Sequence, residues 1–402
     1  MKKCNNNMPA AAAGSTVYPV LFAISLAHLL NDMIQSVVPA IYPMLKENYA
    51  LTFGQIGLIT LVYQMTSSIF QPFVGLYADR HPRPYSLAFG MCLTLSGLLT
   101  LAVSWNYGLI LIAVGIIGCG SSIFHPESSR VAQMASGGRK SLAQSIFQVG
   151  GNGGSAIGPL LAAIIVIPHG QVAVGWFAVA AFVAFAVLAG VGRWYSRTLM
   201  QRRCEGFENV AAAAPFPASV VRRAMTILVV MVFSKYFFIS SMTSYFTFFL
   251  IDKFGVSVQQ SQICLFAFLA ALAAGTLAGG FLGDRYGRKY VILFSIFGAA
   301  PFALALPYLN FGWTVAFSVV IGLVIASAFS AILVYATDLK PDKVGMVSGV
   351  FFGLMFGLGG IASAFFGWLA DHTSVEFIFH VSTLLPLLGI IAIWLPDTRK
   401  AS

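Results

Sequence analysis

Long apolar runs separated by short polar segments make up most of the chain. Each run is close to or above the roughly 20 residues that a helix needs to cross about 30 Å of hydrocarbon. The runs are continuous and lack the alternation of polar and apolar residues that marks a barrel strand, so they predict helices. Their approximate limits are 18–44, 53–77, 86–104, 108–132, 142–168, 171–194, 224–251, 258–282, 290–309, 313–337, 344–370 and 375–396. The pattern predicts an all-α, polytopic membrane protein with twelve transmembrane helices.

Composition and charge agree with that class. Of the 402 residues, 58% are hydrophobic and 9% are charged, whereas about a quarter of the residues in a soluble domain carry charge. The net charge of +10 by itself would suit a nucleic-acid partner. With both termini on the inner side, however, all Lys and Arg except Lys46, Lys235 and Lys253 fall on that side, which is the positive-inside pattern. The charge therefore indicates cytoplasmic termini, and no nucleic-acid partner is expected.

The chain is organised as two similar halves. The segment "GLYADRHPRP" at 75–84 is repeated 205 residues later as "GFLGDRYGRK" at 280–289. Parallel repeats of this type place a substrate site near the membrane midplane, between the repeats. The predicted divisions are a cytoplasmic tail (1–17), a six-helix bundle (18–194), a cytoplasmic central loop (195–223), a second six-helix bundle (224–397) and a cytoplasmic tail (398–402).

The two repeated loops resemble the G-x-x-x-D-R-x-G-R-K loops of the major facilitator superfamily, which lie between the second and third spans of each half. The second copy is nearly complete, whereas the first has Pro82 where the second has Gly287. The resemblance implies gating loops, with Asp79 against the start of the eleventh span and Asp284 against the start of the fifth. Because its pattern is fuller, the Asp284 loop is expected to matter more. The candidate gating residues are Gly75, Asp79, Arg80, Gly280, Asp284, Arg285, Gly287, Arg288 and Lys289.

Within that superfamily the chain resembles the fosmidomycin resistance transporters. The stretches that carry this resemblance are "SLAHLLNDMIQS" (25–36), "FHPESSRVAQMASGGR" (124–139), "AQSIFQVGGN" (143–152), "FSKYFF" (233–238) and "SAFSAILVYA" (327–336). The resemblance implies a transporter, acting as a monomer in the bacterial inner membrane, that exports the phosphonate antibiotic fosmidomycin in exchange for protons. It implies two pseudo-symmetric bundles with alternating access.

Other functions are weighed against this one. A proton-coupled transporter of a natural organic anion or phosphorylated metabolite would use the same charges, and a channel or sensor with a transporter fold is a third possibility. The sequence has no Walker loop, no dinucleotide fingerprint after a strand and no metal-ligand spacing. We therefore expect no enzyme activity, no cofactor and no metal.

Polar residues share one face of the first span. His28, Asp32 and Gln35 stand at i, i+4 and i+7, and Asn31 adjoins Asp32. Such a stripe faces the protein interior or water, and an acid within the membrane is functional by default. Asp32 is therefore the first candidate for the proton carrier, with His28 beside it. The alternative is a structural Asp held by an amide, an imidazole or a backbone donor.

The fourth span adds further ionisable groups. Glu127 and Arg130 are three residues apart and can pair, while His125 lies on a different face. The pair either couples protons and substrate or only anchors the inner end of the helix. The proton-coupling candidates are Asp32, His28, Glu127 and His125.

Lys235 lies deep in the seventh span. A buried ammonium needs a counter-charge, which an acid of the protein or a bound phosphonate can supply. The alternative is a permanent salt bridge between the halves. The substrate-binding candidates are Asn31, Asp32, Gln35, His125, Glu127, Arg130, Lys235 and Tyr245.

The fifth span contains "GGNGGSAIGPLLAA". Gly154, Gly158 and Pro159 resemble the G-x-x-x-G-P-x-x-G-G motif of antiporters, although alanines replace the last two glycines. Small residues at this spacing also permit close helix packing in any membrane protein. The motif is thus consistent with antiport, and with ordinary packing.

Overall fold

The computed structural model describes residues 15–51, 53–204, 216–256 and 258–397. The first 14 residues of the predicted N-terminal tail, residues 205–215 of the predicted central loop and the predicted tail 398–402 lie outside these ranges.

The chain divides into two compact units. The first contains residues 1–214 together with 340–349, and the second contains 215–339 together with 350–402. The segment 340–349, expected in the second half, groups with the first unit because its backbone binds Asp79.

The first unit is built of helices. They are α1 (Tyr18–Ala40), α2 (Tyr42–Asn48), α3 (Phe53–Ser68), α4 (Gln71–Arg80), α5 (Ser86–Ala102), α6 (Tyr107–Met134), α7 (Lys140–Leu161), α8 (Ile167–His169) and α9 (Phe177–Cys204). A π-helical segment, Ala162–Val166, joins α7 to α8, and a 3₁₀ segment, Gln171–Trp176, precedes α9.

The first turn of α16 lies within 340–349 and therefore belongs to the first unit. The second unit is also built of helices. They are α10 (Ala218–Phe254), α11 (Val258–Tyr286), α12 (Arg288–Phe297), α13 (Ala300–Ala305), α14 (Phe311–Ala326), α15 (Ala328–Leu339), α16 (Val344–His372) and α17 (Val375–Ser382). Two 3₁₀ segments of this unit connect or follow them, Leu306–Tyr308 and Leu385–Trp394, and a third, Pro341–Lys343, precedes α16 and belongs to the first unit. A cluster of buried aromatic side chains, including Phe246, Phe249 and Phe379, forms the core of the second unit.

Each predicted apolar run coincides with one helix or with consecutive helices. In the part of the chain that the structure describes, nine segments are long and apolar enough to cross a membrane, and α5 is a shorter apolar helix. The predicted runs 53–77 and 142–168 are divided into shorter pieces. Pro72 at the start of α4 accounts for the first division, since a proline cannot continue the hydrogen-bond ladder of α3. The predicted all-α membrane fold is confirmed.

The helices next to the predicted central loop are longer than the apolar runs. The prediction placed 195–223 in the loop, but α9 continues to Cys204 and α10 begins at Ala218. Arginine is a good helix former, so the arginine-rich end of α9 continues as helix beyond the apolar segment. The apolar run marks the part of a helix that suits lipid and does not mark its end.

The duplicated plan is visible in matching helix starts. The Asn106 side chain accepts a hydrogen bond from the Leu109 amide at 2.9 Å, and α6 follows. Asn310, 204 residues later, accepts one from the Trp313 amide at 3.1 Å, and α14 follows. Both are N-caps that satisfy an otherwise unpaired helix donor. The two units therefore begin the corresponding helix with the same device.

Glycines allow α1 and α7 to lie in direct backbone contact. A Cβ atom on Gly154 would lie 2.1 Å from the Leu29 carbonyl oxygen, and one on Gly158 would lie 2.0 Å from Ser36 Oγ. Neither distance is possible between non-bonded atoms. The motif residues Gly154 and Gly158 thus set the α1–α7 distance, while the side chain of Pro159 lies outside the described part of the structure.

We expect Gly154→Val to destabilise the protein, because its side chain requires α7 to move away from α1. Overpacking of this kind costs about 1–3 kcal/mol. Gly190→Val in α9 is the matched control, since a Cβ there meets nothing within 4 Å. The measurement is thermal unfolding in detergent, and equal melting temperatures for the two variants would contradict the packing role.

Candidate functional site

The polar face of α1 is buried inside the first unit. His28 and Asn31 are fully buried, and Asp32 and Gln35 are 8% and 7% exposed. The close contact with α7 places these side chains between α1, α6 and α7. The predicted helical face is therefore present, and it is turned into the unit as expected for polar groups within a membrane.

Asp32 is in contact with two imidazoles and an amide. His28 Nε2 lies 3.2 Å from Oδ2, and His125 Nε2 from α6 lies 3.7 Å from Oδ1. The Asn31 amide donates to Oδ1 at 3.0 Å. We call His28, Asp32 and His125 the Asp32 cluster. In it, side chains from two predicted spans, α1 and α6, meet at one carboxylate.

α7 holds the imidazole of His28 in place. His28 Nδ1 lies 2.8 Å from the Phe147 carbonyl oxygen, and the two rings stack with centroids 4.0 Å apart. A Cβ on Gly151 would lie 2.4 Å from His28 Nε2 and 2.8 Å from Asp32 Oδ2. Gly151 thus leaves the space that the His28–Asp32 pair occupies. Sequence reasoning missed both α7 residues, although Gly151 stands one turn after Phe147.

Gln35 connects α1 to α3 and α6. Its Oε1 accepts hydrogen bonds from the hydroxyls of Tyr63 and Ser121, the latter at 3.3 Å. Ser121 in turn lies 3.3 Å from His125 Nδ1 through its hydroxyl and 3.1 Å through its carbonyl oxygen. A hydrogen-bonded network therefore runs from Tyr63 to His125, whose Nε2 lies 3.7 Å from Asp32. Tyr63 was not predicted, because only the tertiary fold brings α3 to this face.

The Asp32 cluster has a donor set that a metal ion can also use. One donor atom from each of His28, Asp32 and His125 lies within 4.8 Å of the others. The sequence predicts no metal. Two imidazoles that pair with one carboxylate lie at the same distances without a metal ion. A chelator distinguishes a proton site from a metal site, because it removes a metal ion and leaves a proton in place.

Glu127 and Arg130 form a separate site near the C-terminal end of α6. Their side chains are 3.8 Å apart, as the spacing predicted. The Ser86 hydroxyl donates to Glu127 Oε2 at 3.0 Å, and Arg130 donates to the Ala78 carbonyl oxygen. The structure therefore places Glu127 and Arg130 with α4 and α5, and none of their recorded contacts is with the Asp32 cluster.

The first gating loop binds the start of α16. The Asp79 carboxylate accepts hydrogen bonds from the Gly345 and Met346 amides at 2.8 and 2.9 Å. A Cβ on Gly75 would lie 2.0 Å from the Gly345 carbonyl oxygen, so Gly75 permits this approach. Anions are favoured at a helix N-terminus, where amides have no intrahelical acceptor. The predicted contact of Asp79 is present, while its gating role stays a prediction. Arg80 is exposed.

Burial raises the pKa of the Asp79 carboxyl above its usual value, although the Met346 and Gly345 amides lower it. Protonation removes the charge that the two amides stabilise. Acidification of the solution that Asp79 contacts is thus expected to weaken the contact between α4 and α16 at a less acidic pH than for an exposed aspartate.

The second gating loop is held by side-chain ion pairs. Arg288 lies 3.6 Å from Asp284 and also pairs with Asp338. Gly287 has φ +96°, a conformation that favours glycine, and it caps α12. Arg285 lies over the ring of Tyr286 at 5.4 Å. Gly280 is buried and Lys289 is half-buried.

Lys235 is buried in the second unit and is only 2% exposed. Its Nζ lies 3.4 Å from the Ala326 carbonyl oxygen, and 5.5 and 5.6 Å from the ring centroids of Tyr236 and Phe329. Among the described residues, no carboxylate lies within 4 Å of this ammonium. Tyr245, ten residues along α10, donates to the Ser363 carbonyl oxygen at 2.6 Å. About 15 Å of helix separates these two candidates.

Comparison with known proteins gives consistent results. The model of the Major Facilitator Superfamily matches residues 24–363 and 228–402. The chain is similar to the fosmidomycin resistance protein of Escherichia coli (strain K12), with 54% identity over 97% of each chain. It is also similar to an uncharacterised transporter of the same superfamily from Bacillus subtilis (strain 168), with 41% identity over 96% of this chain and 95% of the relative.

Solved structures support the fold. The fucose:proton symporter of E. coli matches with a TM-score of 0.72 at 14% identity, covering 95% of this chain and 99% of the symporter. A proton:xylose symporter matches with a TM-score of 0.73 at 13% identity, covering 96% and 97% of the two chains. At these identities the likeness concerns the fold.

We expect Asp79→Asn to loosen the start of α16, because an amide offers one acceptor where the carboxylate offers two. A hydrogen bond to a charged group contributes about 1.5–3 kcal/mol. Hydrogen exchange of the first turn of α16 should become faster, whereas Asp252→Asn, an exposed acid, should leave it unchanged. Unchanged exchange in Asp79→Asn would remove the basis for a gate at this loop.

Proposed function

Because the chain belongs to the major facilitator superfamily, we propose that it exports fosmidomycin, and related small anionic drugs, in exchange for protons. That the chain is a membrane transporter and not an enzyme follows from the family and the fold. The drug, the exchange with protons and an alternating-access cycle are the proposal.

The substrate assignment rests first on the relative in E. coli, whose name refers to fosmidomycin resistance and whose sequence matches over nearly the full length. The second support is Lys235. A buried ammonium without a nearby carboxylate, among the described residues, is costly unless a ligand neutralises it. A phosphonate supplies that charge and accepts charge-assisted hydrogen bonds.

Proton coupling rests on the Asp32 cluster. Its three ionisable side chains are buried and mutually in contact, and His125 comes from a different helix than Asp32. Such clusters within a membrane mark proton relays. Glu127, which lies with Arg130 and Ser86, is the second candidate and is expected to couple the inner end of α6 to the cycle.

The proposed location is the bacterial inner membrane, with both termini in the cytoplasm. The placement of Lys and Arg supports this orientation, because positively charged segments are retained on the inner side. The protein is expected to act as a monomer with small-molecule substrates and protons as its partners.

A natural organic anion or phosphorylated metabolite is the second candidate substrate. Lys235 favours it equally, since an ammonium is a point charge that selects anions without selecting one geometry. Competition against fosmidomycin uptake in inverted vesicles separates the two. A metabolite that is transported, and that the drug does not displace, would support this alternative.

The direct test is susceptibility to fosmidomycin in a sensitive bacterial strain, with and without the expressed protein. We expect expression to raise the inhibitory concentration and a protonophore to remove that increase. Unchanged susceptibility at verified membrane expression would exclude drug export.

We expect Asp32→Asn to abolish transport driven by a pH gradient, because the amide keeps the hydrogen-bonding shape but does not ionise. Binding of the drug to purified protein should persist. The measurement is drug uptake into inverted vesicles with an imposed gradient, and full gradient-driven uptake would show that Asp32 is not needed for coupling.

Lys235→Ala is expected to abolish drug binding by calorimetry, while Lys235→Arg keeps the charge with a different reach and should bind more weakly. Arg223→Ala, which removes an exposed charge from the same helix, is the control. If Lys235→Ala folds and binds as tightly as the native protein, the ammonium is structural and Arg130 becomes the next candidate.

A further inference from the structure

Hydrogen-bond acceptors of the backbone fix the proton positions on the two buried imidazoles. Building on the proposed antiport, we infer that His28 stores the exchanged proton on Nε2, and that Asp32 stays a carboxylate that admits the proton and balances its charge. Asp32 is thus an entry group and a counter-ion, and the imidazole is the store.

The tautomer of His28 follows from its contact with α7. A carbonyl oxygen can only accept a hydrogen bond, so Nδ1, at 2.8 Å from the Phe147 carbonyl oxygen, must carry a hydrogen. In the neutral ring Nε2 is then without a proton and presents a lone pair. This nitrogen faces Asp32 Oδ2 at a distance of 3.2 Å. The carboxylate oxygen is also an acceptor. Two acceptors at this distance repel each other until a proton occupies the gap between them.

His125 obeys the same rule with a weaker outcome. Its Nδ1 lies 3.1 Å from the Ser121 carbonyl oxygen, so it too carries the hydrogen there, and Nε2 faces Asp32 Oδ1. That distance is 3.7 Å, longer than a hydrogen bond. His28 is closer and also stacks on the Phe147 ring at 4.0 Å, an arrangement that attracts a cationic ring. The structure favours His28 as the store and His125 as a positioning residue.

The surroundings of Asp32 favour a carboxylate. Its Oδ1 accepts from the Asn31 amide at 3.0 Å, and hydrogen bonds to the charged form stabilise it. The other titratable group that faces it is Tyr63 of α3, whose hydroxyl is turned to Gln35. From α7, the Phe147 ring and Gly151 face the pair, and neither titrates.

Exposure gives the order of events. The Asp32 side chain is 11% exposed, while those of His28 and His125 are 1% and 0% exposed. A proton thus reaches the carboxylate first. The transfer breaks the O–H bond and forms an N–H bond at His28 Nε2, and the electron pair stays on the carboxylate oxygen. The Asp32 cluster changes from one net negative charge to neutral, so it takes up one proton.

Nitrogen NMR of the full-length protein tests the assignment. Asparagine replaces the other four of the six histidines, none of which belongs to the site: His81, His169, His372 and His380. With ¹⁵N-labelled histidine, we expect neutral His28 to show the Nδ1–H tautomer at high pH, and Nε2 to gain a proton on acidification. Infrared spectra over the same pH range should show no band from a protonated Asp32 carboxyl group. Such a band would be identified by its loss in Asp32→Asn.

The proposal is overturned by a neutral Nε2–H tautomer of His28, by a ring that stays neutral while Asp32 shows a protonated carboxyl band, or by signals that a chelator changes, which would reveal a metal. His28→Asn identifies its signals and keeps a donor for the Phe147 carbonyl oxygen.

Transport by the same variants separates this inference from the proposed function. We expect the ratio of drug uptake with and without a pH gradient to fall to unity in His28→Asn, and to fall only in part in His125→Asn. Undiminished stimulation in His28→Asn leaves drug export standing and refutes the store. A native protein that transports no drug refutes the proposed function, while the NMR result still decides the tautomer and the proton site.

Discussion

The polar interior of the first unit depends on the backbone contact between α1 and α7. A buried carboxylate is tolerated only where hydrogen bonds and opposite charge replace water. Because Gly151 and Gly154 lack side chains, α7 lies close enough for its Phe147 carbonyl and ring to orient His28 against Asp32. The motif residue Gly154 thus lets the two helices approach, and Gly151, which lies outside the motif, leaves the volume in which the ionisable groups meet. The close packing of α1 with α7 and the assembly of the Asp32 cluster are two consequences of one contact, so the packing reading of the motif does not exclude the proposed antiport.

Helical periodicity was sufficient for everything that lies on one helix. The face of His28, Asp32 and Gln35, and the pairing of Glu127 with Arg130, follow from spacings of three, four and seven residues, and both are found. Periodicity does not say which face of one helix meets which face of another. Tyr63 and Phe147 were therefore missed, and Glu127 was grouped with Asp32 although its contacts are with Ser86 and Arg130.

The two gating loops show how a local departure from a motif is offset by tertiary contacts. The incomplete first loop suggested the lesser role, yet Asp79 binds two backbone amides at the start of α16. In the fuller second loop Gly287 allows the turn, and Arg288 joins Asp284 to Asp338. The completeness of the motif indicates how the loop turns, whereas the strength of the loop's tertiary contact depends on the groups that its acid binds. The relative importance of the two acids for gating stays a prediction.

Charge compensation is different in the two units, and this difference has a consequence for transport. In the first unit the charge of Asp32 is met locally, by an amide donor and by two imidazoles, each of which can take up one proton. In the second unit Lys235 is surrounded by a carbonyl oxygen and two aromatic rings, which attract a cation without neutralising it. A site that already holds its own bases responds to protons, and a site whose cation has no nearby carboxylate among the described residues responds to anions. Under the proposed exchange, proton and drug are recognised by chemically separate groups, so their coupling would arise from the conformational cycle and not from competition for a shared side chain.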